Sequence, residues 1–300
     1  MNERGSLLIT GLWAMSVFSV MTISLSFSAS QELMLAKRDL GDFKSHLDFL
    51  SAMNQVAWKM DTDPFPHEDS PAKPWFGDVQ LEKPFEGRLS VSVEDENSKI
   101  NLNYASEALV STFLRAFEKD TQSLKGSHKD YVKGISKMRS KKRFQSLEEL
   151  LLMEDFEKED LEAMRPYMTV YSENAFVNIN TAKPLVLRVL LDSLSTDHGA
   201  KHILFSRLEE ACNLDKEKLK ETEQGCFFLS RELQPETFAE RLKLPRTPVM
   251  LNLVQQFLSL VTTDSEIFCI SMKADQREAL GIFRYRVGQA RPRILWWHEE

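Results

Sequence analysis

The 300-residue sequence is short of most of what enzymes and metal centres are built from. Its three cysteines, Cys212, Cys226 and Cys269, form no Cys-x-x-Cys pair, so zinc-ribbon and redox-motif chemistry have no support. It has no Gly-x-Ser-x-Gly elbow, no His-Glu-x-x-His and no glycine-rich phosphate loop. The six histidines are scattered, and none has a sequence neighbour that suggests a base. Positive charge is in deficit: 38 Lys and Arg stand against 45 Asp and Glu, a net charge of −7. Nucleic-acid binders usually present a basic surface, so that class is disfavoured. No residue can be assigned a catalytic role.

What is present begins at the first residue. Residues 6–30 carry no charge, and only Glu3 and Arg4 precede them. A run of this length can cross a hydrocarbon core, which needs roughly 20 residues. A secretory signal has a basic leader, a shorter apolar core and a small-residue cut site, and Ser28-Ala29-Ser30 matches that site only loosely. A tiny polar leader ending in glycine, followed by a hydrophobic helix that stays on the mature chain, resembles a type IV prepilin. The cut would then fall between Gly5 and Ser6.

The helical pattern outlasts the uncharged run. Leu33, Ala36, Leu40, Phe43, Leu47, Leu50, Met53 and Ala57 recur at spacings of three and four, with Lys37, Arg38, Asp42, Lys44 and Asp48 on the other faces. Residues 6–60 are expected to form one helix ~80 Å long. Its first half would lie in lipid, and its second half would offer an apolar stripe to a folded head. Asp61-Thr-Asp-Pro-Phe-Pro66 ends it, and proline-rich polar sequence runs to Pro74.

Leu89, Val91 and Val93 then alternate with polar residues, the pattern of a half-buried strand. Residues 104–261 read as almost wholly helical. Ser146-Leu-Glu-Glu149 is a capping box opening Leu147–Met153. Thr181 is expected to cap a helix with Pro184 in its first turn, and Thr247-Pro248 to open Val249–Val261. Strand patterns return at Glu266–Lys273, Leu280–Val287 and Arg293–Trp297. The expected class is α+β: one long helix packed on a small antiparallel sheet, with a large all-helical domain inserted between strands. The segments are a leader of residues 1–5, a membrane half at 6–30, a head from 31–103 and 262–300, and an insert at 104–261.

Cys212 and Cys226 bracket a thirteen-residue polar loop and are the favoured disulfide if the body is in an oxidising compartment. Cys269, inside Ile267-Phe-Cys-Ile270, reads as a buried free thiol. The alternative is three unpaired cysteines in a cytosolic protein.

The order of elements resembles the general secretion pathway protein K family, the large minor pseudopilin of type II secretion. Four features carry the resemblance over nearly the whole chain. They are the leader and helix from Arg4-Gly5-Ser6 to Thr10; Val93-Glu-Asp-Glu-Asn-Ser-Lys-Ile-Asn-Leu-Asn103; Phe144-Gln-Ser-Leu-Glu-Glu-Leu150 followed by Phe176-Val-Asn-Ile-Asn-Thr-Ala182; and the strand cluster after Ser265. Most pilin-like subunits have Glu as the fifth residue after the cut. Here that residue is Thr10, and this family characteristically lacks the Glu. A carboxylate in lipid is costly unless paired, and a subunit at a fibre's end has no neighbour above it to supply the amine.

The resemblance implies a non-enzymatic subunit, cut after Gly5 and methylated on Ser6 by prepilin peptidase. It would sit in the inner membrane with a cytoplasmic N-terminus and a periplasmic body. It implies minor pseudopilins of the I and J types, the major pseudopilin and the inner-membrane assembly platform as partners, and a place at the pseudopilus tip. It also implies that the head can bind calcium. Asp95, Glu96, Asn101 and Asn103 gather hard oxygens, and Asp264 and Glu266 are equally admissible, but the Asp-x-Asp-x-Asp-Gly spacing is missing. No other cofactor is expected.

Two other readings stay open. One is a minor pilin of a type IV pilus or DNA-uptake fibre; the other is a single-pass periplasmic binding protein that never polymerises. Phe176–Ala182 also resembles a helix-hairpin-helix entry, yet no Gly-x-Gly follows to meet phosphate, and Gly199 stands alone. Lys125, Lys129, Lys133, Lys137, Arg139, Lys141, Lys142 and Arg143 form a basic run, read as a solvated face or as a contact for an acidic partner.

Overall fold

The computed structural model describes residues 3–63, 69, 73–81, 89–121, 127–153, 156–194, 197–219, 228–274, 277–286 and 292–299. One helix, α1, runs unbroken over Glu3–Asp61. Three hydroxyls along it bond locally: those of Ser16, Thr22 and Ser30 donate to the carbonyls of Leu12, Phe18 and Ser26 one turn back. Polar residues are thereby tolerated in a segment long and apolar enough to cross a membrane.

The chain divides into two compact units, residues 1–51 and 52–300. In the first, Leu33, Leu40 and Phe43 are 58–69% exposed. The expected stripe for a head is therefore bare at these positions. Within the second unit the same helix buries Ala52, Met53, Val56, Ala57 and Met60.

Within the second unit the chain places β1 at Gly77–Asp78, β2 at Ser90–Asp95, a 3-10 turn at Glu96–Ser98 and β3 at Ile100–Asn101. Helices α2 (Glu107–Thr121) and α3 (His128–Lys141), a 3-10 segment Leu147–Leu152 and α4 (Lys158–Met164) follow. Next come β4 (Met168–Thr169), β5 (Val177–Asn178), α5 (Pro184–Ser193), α6 (His198–Leu219), a 3-10 turn Ser230–Glu232, α7 (Pro235–Arg241) and α8 (Pro248–Leu258). Strands β6 (Val261–Thr262), β7 (Ile267–Ala274), β8 (Arg277–Arg284) and β9 (Arg293–Glu299) close the chain.

The main sheet has the order β1-β2-β7-β8-β9 and is antiparallel throughout. Strand β2 pairs with β7 from Ser90↔Lys273 to Asp95↔Phe268, so about 170 residues intervene between hydrogen-bonded neighbours. Val91, Val93, Phe268, Ile270, Met272, Ala279 and Phe283 are buried on one face, as alternation demands. Gly281 serves a close approach there: an added Cβ would lie 2.6 Å from the Trp297 ring.

The intervening block has its own continuous apolar core, with Phe113, Phe117, Leu190, Phe238 and Phe257 fully buried. It is not wholly helical. Two parallel two-stranded pairs, β3 with β4 and β5 with β6, each tie one of its ends to its middle. Thr247 caps α8 as expected, accepting from the Met250 amide. Two other expected caps differ. Ser146 makes no side-chain cap bond; the Gln145 amide donates to Glu149 instead, and the segment is 3-10 rather than α. Thr181 does not cap α5, whose N-cap is Lys183. Its hydroxyl goes to a buried carboxylate, which needs the donor more than an exposable helix end does.

Candidate functional site

Two features of the body can carry function: a buried polar junction and the outer face of the sheet. The junction starts from Asp95 at the end of β2. One carboxylate oxygen accepts the Asn97 amide at 2.7 Å and shapes the 3-10 turn. The other accepts from Thr181 Oγ1 and Ser265 Oγ at 2.6 Å each and from Asn178 Nδ2 at 2.9 Å. Asn178 Nδ2 also reaches the Asp69 carbonyl, and the Ser265 amide donates to Asp69 Oδ2 at 2.7 Å. Burial, together with the nearby Asp95 charge, pushes the Asp69 carboxyl up to about 9. Burial also raises Asp95 to about 6, although its donors pull the other way. Asp69 is thus a protonated acid at neutral pH, and the junction holds one carboxylate rather than two.

The asparagines act as latches. Asn101 donates to the carbonyls of Ser172 and Asn174 and accepts the Asn103 amide. Asn103 donates to the carbonyls of Phe144 and Val170 and accepts the Phe144 amide at 2.8 Å. Asn180 exchanges both bonds with Phe228. Glu96 is paired with Lys99 and accepts from Thr169 Oγ1. Burial is the largest influence on Lys99 and opposes its charge, but Glu96, Cys269 and Glu94 together outweigh it and hold the pKa above its ordinary value.

The calcium candidates are therefore not brought together as a cation cage. Asp95, Glu96, Asn101 and Asn103 spend their polar atoms on hydrogen bonds that join separate segments. Asp264 and Glu266 line a cavity of about 210 Å³ with Asp63 and Asp69, and Glu266 pairs with Arg286 at 2.9 Å. Among the described residues no three His, Cys, Asp or Glu side chains are grouped to hold a metal.

The outer face of the sheet, with Ser271, Leu280, Trp296 and His298, forms the floor of a cleft of about 620 Å³. Its opposite wall is Glu148, Leu151, Lys158, Glu162 and Arg165. Its lining mixes apolar Leu151, Leu161, Leu280 and Trp296 with charged Glu148, Lys158, Glu162 and Arg165. Cys269, near this face, is free, and burial raises its thiol to about 12, which makes it a poor nucleophile. Cys212 is in a disulfide. Its expected partner, Cys226, lies outside the described residues.

Gly5, Ser6 and Thr10 fall in α1, and their side chains are outside the described set. Lys125 also lies outside it. The parts of the junction missed in the sequence are Asp69 and Ser265. Phe176–Ala182 did signal the site, because Asn178, Asn180 and Thr181 sit there at buried positions.

The architecture defines a class: a long N-terminal apolar helix leading into an α+β head whose sheet is split by a helical insert. No family model matches the sequence, and no curated protein does. Among solved structures, the fold is similar to a chain in the GspK-GspI-GspJ complex of the enterotoxigenic Escherichia coli type 2 secretion system. The match has a TM-score of 0.56 at 11% identity and covers 88% of this chain and 99% of that one. The likeness thus includes the insert and is not confined to the anchor helix and sheet.

Proposed function

We propose that this chain is a non-enzymatic minor pseudopilin of type II secretion, placed at the pseudopilus tip and seeding its assembly. The observation that supports this most is the fold likeness, over 88% of this chain and so reaching into the insert, to a chain of a secretion complex. In this reading α1 anchors the subunit in the inner membrane with its N-terminus in the cytoplasm. Prepilin peptidase cuts after Gly5 and methylates Ser6. Leu33, Leu40 and Phe43 stay bare because their partners are the helices of other subunits, the I-type and J-type minor pseudopilins first and the major pseudopilin below. The assembly platform then extracts the helix from lipid. Thr10 removes the carboxylate that would need a subunit above it.

The insert fits a terminal subunit, since a helical domain of that bulk would crowd a repeating shaft. The proposed Cys212–Cys226 bond suits a periplasmic body, and intact mass before and after reduction tests it. Three experiments separate the reading from a plain anchored binding protein. Mass spectrometry of membrane-extracted protein should find Ser6, methylated, as the first residue; Met1 on the stable form would refute processing. Gly5→Val should leave the leader on and abolish secretion. Thr10→Glu should impair secretion if the tip position requires an uncharged residue, and leave it intact if the chain is only an anchor.

A further inference from the structure

The basic run of residues 125–143, eight bases and one acid in a chain of net charge −7, is sorted by the fold into two groups. Arg139, Lys142 and Arg143 are used internally. Arg139 donates to the carbonyls of Leu102 and Ala105, Lys142 pairs with Glu149, and Arg143 lies over the Tyr104 ring. Lys129, Lys133, Lys137 and Lys141 are all exposed, and none makes an ion pair with any of the described residues. All four lie in α3. Spaced by four, they form one ridge with charges about 6 Å apart along the axis, over about 18 Å.

The other side of α3 buries Tyr131 and Ile135, which fixes the helix and aims the ridge at solvent. Such a row repels itself by a few tenths of a kcal/mol per step, so it costs stability where it stands. No large apolar side chain is exposed on α3 among the described residues, so the ridge lacks the anchors of a membrane-surface helix. It also contains only lysines, whereas forked recognition of phosphate favours arginine.

We propose that the α3 ridge is a docking surface for an acidic helix of a partner protein, one that carries Asp or Glu at positions four apart. Such a helix repeats its carboxylates at the same 6 Å interval. Two ridges of this kind align when the helices cross at about 50°, the commonest packing class. The proposal stands whether or not the chain is a pseudopilin.

The test uses the full chain in phosphatidylcholine nanodiscs at low ionic strength. The probe is a fluorescent, alanine-rich helical peptide with four Glu residues spaced by four. A control peptide has the same composition with its Glu residues distributed around the helix. The in-register peptide should bind at least about tenfold more tightly than the control, the effect expected of four exposed ion pairs. Combined Lys129→Glu, Lys133→Glu, Lys137→Glu and Lys141→Glu should abolish that preference, as should the four Lys→Gln changes if the reversal disturbs folding. Equal binding of the two peptides, or a preference that survives both variants, overturns the proposal. Displacement of the peptide by soluble short-chain phosphatidylglycerol as effectively as by unlabelled peptide overturns it in favour of a lipid surface.

Discussion

The main sheet and the helical insert are held together by opposite means. In the sheet, β7 and β8 pair over eight consecutive positions and β2 and β7 over six, so the backbone satisfies itself in long ladders. In the insert, pairings are two residues long, and the irregular backbone between them is satisfied by side chains: Asn101, Asn103, Asn178 and Asn180. Buried backbone groups must be paired somewhere. A segment without regular structure can enter a core only if side-chain amides replace the ladder. The two regions should therefore fail differently. The sheet should tolerate polar changes and resist steric ones, while the insert should fail when a single carboxylate or amide is removed.

The largest effect is expected at Asp95, where both regions meet. Asp95→Ala strands three side-chain donors in a buried site, at about 1 kcal/mol or more each. Thermal unfolding of the detergent-solubilised chain should show a loss of about 3 kcal/mol or more; a loss under about 1 kcal/mol would refute the junction. Next is Asn103→Ala, which orphans two carbonyls and one amide and should cost about 2 kcal/mol. In the sheet, Gly281→Ala drives a Cβ into Trp297 and should cost about 1–3 kcal/mol, with hydrogen exchange rising in β8 and β9 first.

Asp69 gives a pH signature confined to the junction. Native Asp69 keeps its proton up to about pH 9, whereas the unfolded chain releases it near the ordinary 3.8. The native state binds the extra proton over that window, so the Asp69 contribution to stability is greatest at the acid end and falls as pH rises towards 9. Asp95, raised to about 6, adds the same sign between roughly pH 4 and 6. Asp69→Asn should flatten the profile and raise stability at pH 8 by more than about 1 kcal/mol, read from unfolding midpoints at pH 5 and 8. An unchanged slope would mean that Asp69 is ionised in the native state. The smallest effect is Lys273→Ala: its pair with Glu278 on the sheet is exposed, and the change should stay within about 0.5 kcal/mol.

Much of the frame was legible in the sequence. The uncharged run of residues 6–30, the helical continuation to Met60 and the three terminal strands all appear where periodicity placed them, with boundaries moved by a few residues. The two misplaced caps have different causes. Thr181 gave its hydroxyl to Asp95, 86 residues away, whereas at Ser146 a local bond from the Gln145 amide to Glu149 forms instead. The hard-oxygen cluster around Asp95 was visible as composition, but its use was not. Oxygen ligands for a cation and oxygen acceptors for buried donors are the same residue types, and only the surroundings tell them apart.

The sequence by itself determined the long helix, the α+β class and the split sheet, because these follow from apolar periodicity and chain order, which are local. The tertiary structure decided which part of the apolar stripe is buried, which lysines are spent and which stay free, and that Ser265 meets Asp69 across 196 residues of chain and Asp95 across 170. Those outcomes depend on which groups lose water together, and that is a property of the packed fold rather than of any stretch of sequence.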